Sequence, residues 1–166
     1  MKCPACESEI QEKYACGRCG VLLANPGAGV IASPGRRLGG YILDFAVIAG
    51  FYAVTMLAVT GSGDEGLLLI GVLLMVAGVV GSFILLARGR SYGKWLLGMR
   101  TYRVTGRPAG FWTMLFRETI GKFVSGIVLS LGYLWLLWDR EHQAWHDKIA
   151  GTVVLVVRKR VDGVVR

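Results

Sequence analysis

Acidic residues are scarce in this chain of 166 residues, where 11 Asp and Glu stand against 19 Lys and Arg. Asp44 is the only acid between Glu12 and Asp64, and Gly66–Ala87 carries no charge of either sign. The four cysteines are confined to the first nineteen residues. No glycine-rich phosphate loop, nucleophile elbow or cofactor fingerprint occurs, so no enzyme chemistry is expected. A net charge of +8 could suggest nucleic acid, but the basic residues sit beside apolar segments, where anionic headgroups are the expected counter-charge. With 54% hydrophobic residues gathered in blocks, the chain is too apolar for an ordinary soluble domain of its size.

Two of those blocks, Gly40–Thr60 and Gly66–Ala87, have the length of about 20 residues that crosses the hydrocarbon core of a bilayer. The short turn Gly61–Glu65 between them predicts a transmembrane hairpin. Lys and Arg number five in residues 1–39, none in 61–66, eight in 88–122 and six in 139–166. That asymmetry places the turn outside and both flanks in the cytoplasm, as a multi-pass protein of the inner membrane. The first apolar block begins behind a cysteine-rich segment, so no cleaved signal peptide is expected.

The third apolar stretch, Phe123–Trp138, is shorter. A helix of its length reaches about 24 Å against a hydrocarbon thickness of about 30 Å, and Ser125, Gly126, Ser130 and Gly132 interrupt it. A full crossing would also carry the basic tail outside. The expectation is a re-entrant helical hairpin that turns near Leu131-Gly132 and returns through Tyr133–Trp145, with three full spans as the alternative. On the cytoplasmic side, Met99–Val104 and Gly151–Val157 are β-rich and could pair. Residues 110–122 read as an amphipathic helix with Phe111, Trp112, Leu115 and Phe116 toward the interface.

Cys3-Pro4-Ala5-Cys6 and Cys16-Gly17-Arg18-Cys19 form two Cys-x-x-Cys pairs with the look of a zinc ribbon. Four thiolates, Cys3, Cys6, Cys16 and Cys19, would fill a tetrahedral site and leave no position for water, so the zinc is structural. Disulfides and redox pairs are disfavoured by a reducing cytoplasm and by a segment too short to fold without a staple. The neighbouring Lys2, Glu7, Glu9, Glu12, Lys13 and Arg18 mix both signs and give no basic face suited to phosphate, so the ribbon's own residues do not name what it binds. The domains read as a ribbon over 1–24, a linker over 25–35, a membrane domain over 36–158 and a basic tail over 159–166.

Asp44 needs a reason. At the centre of a membrane helix an aspartate costs roughly 2.5–3.5 kcal/mol, so it faces a partner, a cavity or a transport path. Ser33-Pro34 marks the helix start, a hydroxyl cap followed by proline. Arg37 and Asp44, seven residues apart, share a face about 10 Å apart along the axis, so water or a third polar group must bridge them. Gly71, Gly78 and Ser82 share a face of the second helix and permit close packing, either between copies in a homo-oligomer or within one chain. His142 and His146 are an i, i+4 pair without the glutamate of a zinc protease, and are expected to make interfacial polar contacts.

Arg37-Leu38-Gly39-Gly40-Tyr41-Ile42-Leu43-Asp44, Gly93-Lys94-Trp95-Leu96-Leu97-Gly98-Met99-Arg100 and His146-Asp147-Lys148-Ile149-Ala150-Gly151-Thr152 follow one another as do the signatures of RDD-family membrane proteins, named for one arginine and two aspartates. Residues 34–158 resemble that family. The resemblance assigns its arginine to Arg37 and its aspartates to Asp44 and Asp147. It implies a small helical membrane protein, and some members carry an N-terminal ribbon. Transport has been proposed for the family, while other members look like accessory or scaffold subunits.

An Arg37–Asp147 pair would tie the third membrane element to the first. Asp44 then lacks an evident counter-charge and is a candidate proton or cation site, in which case Asp44→Asn should leave stability unchanged or higher. The simpler reading has Asp44 accepting hydrogen bonds from Arg37, Tyr41 or a serine. The expected fold is an all-α membrane protein with a small β pairing and a zinc ribbon. Its function is that of a transporter or ion exchanger using Asp44, or of a membrane adaptor whose ribbon recruits a cytoplasmic protein.

Overall fold

A computed structural model describes residues 2–11, 14–61, 65–121, 123–124, 135–139 and 143–157. Two long antiparallel helices, α1 (Pro34–Gly61) and α2 (Glu65–Ala87), stand on a base of short elements. The backbone carbonyl of Ser33 accepts from Arg37 N–H at 3.1 Å and its hydroxyl lies 3.4 Å from Arg36 N, so the cap read from Ser33-Pro34 starts α1. Small residues set the spacing of the pair. A Cβ on Gly71 would lie 2.9 Å from the Ala58 Cβ, one on Gly78 would lie 3.0 Å from the Phe51 ring, and Thr55 Oγ1 donates to Gly71 O at 3.3 Å. Gly71 and Gly78 therefore pack within the chain, while the third residue of that face, Ser82, is exposed and donates to Val79 O.

Both helices are long and apolar enough to cross a membrane, and only 11% and 6% of their most apolar windows are buried. Core helices of a soluble protein would be mostly covered. Contiguous exposed apolar surface on this scale requires a non-aqueous surrounding, and the pair fits a membrane protein.

The base is a three-stranded antiparallel sheet in the order β1-β3-β2, with β1 Val30–Ile31, β2 Met99–Arg103 and β3 Thr152–Val156. The pairing of the two β-rich runs is present, from Met99 opposite Val156 to Arg103 opposite Thr152. The third strand comes from the stretch expected to be a linker. Val30 pairs with Val156, Ile31 with Leu155, and Ala32 N–H donates to Val154 O. The proline and glycine content of 25–35 suggested a tether, but Val30, Ile31 and Ala32 supply what the open edge of β3 needs. Leu22 and Ala28 cover one face of the sheet with Tyr102, Val153 and Leu155; Ala32, Met99 and Val154 form the other. Covered on both faces, β3 reads as a nearly continuous apolar run.

Among the described residues three short helices complete the base: α3 (Tyr92–Leu96), α4 (Phe111–Phe116) and α5 (Trp145–Ile149). The amphipathic helix expected over 110–122 is α4 followed directly by a π-helical turn, Arg117–Gly121. Trp112 and Phe116 are exposed as expected, while Met114, Arg117 and Gly121 point inward. Gly121 packs under α5, where a Cβ would lie 2.9 Å from the His146 Cβ. The turn proposed at Leu131-Gly132 lies outside the described residues, as do His142 and the basic tail, and the hairpin expected for the third stretch is not established. Within that stretch, Trp135–Leu137 forms a single 3-10 turn.

Candidate functional site

The three charged residues singled out in the sequence gather at the base of α1, but in two separate arrangements. Arg37 Nη1 donates to Asp147 Oδ2 at 2.6 Å, with the two side chains 5% and 0% exposed. The neighbouring Arg36 is exposed and donates to Leu97 O. Asp147 is the hub. Its carboxylate also receives Arg117 Nε at 2.8 Å and Nη2 at 2.7 Å, and Ala144 N–H at 3.3 Å caps it from the start of α5. Arg117 Nη1 donates to Glu118 Oε1 at 2.6 Å, and Lys94 Nζ reaches the same oxygen at 3.1 Å.

Burial by itself would push the Asp147 carboxyl up. The charges of Arg117 and then Arg37 outweigh it and hold the group well below the usual carboxylate range. Burial likewise disfavours the Arg117 guanidinium, but Asp147 and Glu118 raise its affinity for the proton beyond that of free arginine. Both groups are therefore fixed in their charged forms. Next to them Tyr41 Oη meets His146 Nε2 at 3.2 Å.

Asp44 faces the other way, into the turn that follows α2. Ser91 Oγ donates to its Oδ2 at 2.6 Å and Gly93 N–H to its Oδ1 at 2.7 Å. The contact is possible because α1 and α3 touch along their backbones: a Cβ on Gly93 would lie 2.0 Å from Gly40 O. Asp44 thus fixes the start of α3 onto α1. Among the described residues it lines two cavities. One, of about 10 Å³, is walled by Arg37, Gly40, Tyr41, Lys94 and Arg117, with buried Arg37 Nε and Nη2 lacking acceptors there. That is about the volume one water requires. The other, of about 570 Å³, runs between α1 and α2.

Arg117, Glu118 and Lys94 were not identified as site residues in the sequence. A signal for Arg117 was available: with Met114 and Gly121 it falls at i, i+3 and i+7, the inward stripe opposite Trp112 and Phe116. An arginine on the buried face of an amphipathic segment demands an acid, and Asp147 is the one it finds.

The cysteines converge at the far edge of the sheet. Their Sγ atoms lie within 4.8 Å of one another, with Cys3 and Cys19 3.6 Å apart and Cys6 and Cys16 3.7 Å apart. A tetrahedral zinc with bonds of about 2.3 Å separates its sulfurs by about 3.8 Å, so the four thiols fit a bound metal ion. The two halves are built alike. Glu7 N–H donates to Cys3 O and Gly20 N–H to Cys16 O, and both donors have a positive φ, 59° and 69°. Gly20 accepts that conformation freely; Glu7 does so against its side chain. Ser8 Oγ lies 3.0 Å from Cys6 Sγ and 3.5 Å from Cys16 Sγ, and its hydroxyl lowers the pKa of both thiols, Cys16 to about 6. Burial pushes Cys19 up to about 12, a penalty that a bound cation would reverse.

The RDD family model matches residues 31–151, which contain all of the charged network. The chain is 35% identical over 72 residues to the proline-rich antigen of Mycobacterium leprae, and 34% identical over 70 residues to the proline-rich antigen homolog of Mycobacterium tuberculosis. These matches cover 43% and 42% of this chain but only 28% and 29% of the relatives' own lengths. No solved structure matches. With the family model covering well over half of its length, the chain belongs to the RDD family.

Proposed function

We propose that this protein is a multi-pass membrane adaptor without enzymatic activity, which holds a zinc-bound cysteine unit as a docking platform for a protein on the cytoplasmic face. The observation that carries this reading is the continuity between cysteine unit and membrane base. Ile31 N–H donates to Gly20 O at 2.8 Å while Ile31 pairs with Leu155 in the sheet, so the unit is docked rather than tethered. Lys2, Glu7, Glu9 and Arg18 are exposed around it, a mixed rim suited to a protein surface. Metal analysis of reduced protein should find one zinc per chain, and Cys16→Ser should release it. A photo-crosslinker at Arg18 should then give one defined adduct in cells, and the Cys16→Ser variant should give none. Crosslinking that survives loss of the metal would refute the platform.

One observation favours ion exchange instead: Asp44 lines both the cavity between the helices and the small charged one. Against it, both oxygens of Asp44 already receive short hydrogen bonds. Proteoliposomes decide between the readings. The adaptor should pass no more Na⁺, K⁺ or H⁺ than empty liposomes, whereas flux abolished by Asp44→Asn would establish exchange.

A further inference from the structure

The adaptor reading leaves the cavity of about 570 Å³ without a role, and its volume falls within the range of about 300–1,000 Å³ typical of ligand sites. Its walls are apolar along most of their length, with Ile48, Phe51, Met75, Val79, Phe83 and Leu86 contributed by α1 and α2. Charged groups stand only toward the base, where Asp44, Arg90 and Glu118 join the lining with Ser91 and Tyr92, while Ser82 and Tyr52 are the polar residues higher along it. The two carboxylates there are already engaged, Asp44 by Ser91 and Gly93, and Glu118 by Arg117 and Lys94. Arg90 is different. Its Nε is buried without an acceptor, and no carboxylate pairs with it among the described residues. An uncompensated guanidinium at the end of an apolar slot is complementary to a molecule with a hydrocarbon body and an anionic head.

We propose that the cavity between α1 and α2 binds one anionic phospholipid of the surrounding membrane, an acyl chain lying along the apolar walls and the phosphodiester accepting from Arg90. The proposal rests on the membrane placement of the two helices, though not on what the cysteine unit recruits. The slot is bounded by helices fit to cross a bilayer, so an acyl chain occupies it at its ordinary depth. Arginine suits the head because its planar fork bonds two phosphate oxygens at once. Occupancy would also brace the bare α1–α2 pair against the base through Arg90, which directly follows the turn at the end of α2.

Native mass spectrometry of the full chain in mild detergent, titrated with phosphatidylglycerol or phosphatidylcholine, tests this. One phosphatidylglycerol should bind at least tenfold more tightly than phosphatidylcholine. Arg90→Gln should abolish the preference while leaving phosphatidylcholine binding unchanged. Val79→Trp, which fills the slot, should remove tight binding of both lipids. Arg88→Gln is the control: Arg88 is an exposed arginine at the same level, and it should change the ratio by no more than the roughly fivefold that diffuse attraction to anionic lipid gives. Inorganic phosphate should not compete. Equal affinity for the two lipids, an effect of Arg88→Gln as large as that of Arg90→Gln, or competition by free phosphate would each overturn the proposal. Failure of the chain to fractionate with membranes would instead overturn the placement on which it rests.

Discussion

Along α1 and α2 nearly every side chain is apolar and uncovered, whereas a few ångströms below, at the base of the same helices, three cations and two carboxylates are packed out of water with Asp44 beside them. The difference lies in backbone regularity. A continuous helix satisfies its own N–H and C=O groups and offers a charged side chain nothing further. The base is made of short helices, a π-helical turn and strand ends, whose free N–H groups and hydroxyls can hold a carboxylate. Asp147 collects two guanidinium groups, one N–H and the Thr152 hydroxyl in this way, and Asp44 a hydroxyl and an N–H. Asp44 belongs to α1 in sequence but to the base in its bonding.

The largest test of this contrast is Arg117. Removing one member of a buried ionic network leaves its partner desolvated and unpaired, at a cost of about 3–5 kcal/mol. Arg117→Met should lower the stability of the protein in detergent by that amount and Arg37→Met by a similar one. Replacing all three members, Arg37→Met and Arg117→Met with Asp147→Leu, leaves none of them unpaired and should recover part of the loss. The pH response gives a second reading. Asp147 has a depressed pKa when folded, so its contribution is fully present above the unfolded value near 4 and is lost only as pH falls through the lower folded value. Wild type should therefore keep this contribution from pH 7 to about 5, whereas Arg117→Met, with less positive charge on Asp147, should weaken at higher pH than wild type does. Thermal unfolding across that range measures both. An Arg117→Met loss below 1 kcal/mol would mean that the base is held by its sheet and not by its charges.

Asp44→Asn is the next in size. The expectation from sequence was that neutralising an unmatched carboxylate would leave stability equal or higher. The structure corrects the premise, because the carboxylate accepts from Ser91 and Gly93 at the joint between α1 and α3. An amide keeps one acceptor oxygen and turns its NH₂ toward the remaining donor. The expected loss is about 2 kcal/mol, that of one charge-assisted hydrogen bond. Ser91→Ala should produce a loss overlapping with it, so the double variant should be less damaged than the two single losses together. Strict additivity in unfolding midpoints would separate Asp44 from that joint.

Much of this was legible in the residues themselves. The two apolar helices, the cap at Ser33, the pairing of Met99–Val104 with Gly151–Val157 and the Arg37–Asp147 contact each rest on a local pattern or on complementary charge at one membrane face. What escaped had no local signature. Val30 and Ile31 look like part of a proline- and glycine-bounded tether until β3 presents an edge for them. Arg117 is the exception, since its helical spacing from Met114 and Gly121 marked it as inward, but Glu118 looks like solvated charge until Lys94 reaches it. Glu7 mirrors Gly20 only once both cysteine pairs are seen to close with the same bond. In each case a partner distant in sequence determines the conformation.

The smallest test concerns the helices themselves, where no charge is available and packing has to hold the pair. Gly71 and Gly50 both lie within long apolar helices, but only Gly71 faces the other helix. A methyl group on Gly71 would meet the Ala58 Cβ at 2.9 Å, closer than carbon atoms tolerate, whereas one on Gly50 meets nothing within 4 Å. Gly71→Ala should therefore force the helices apart and cost about 1–2 kcal/mol, the lower part of the range for overpacking. Gly50→Ala should gain up to about 1 kcal/mol, the difference in helix propensity between the two residues. The opposite signs are the informative part, since both substitutions add the same methyl group to the same kind of helix. Unfolding midpoints measured side by side in one detergent give the comparison. If the two variants shift in the same direction, the α1–α2 contact contributes nothing specific, and the charged base alone sets how the helices stand.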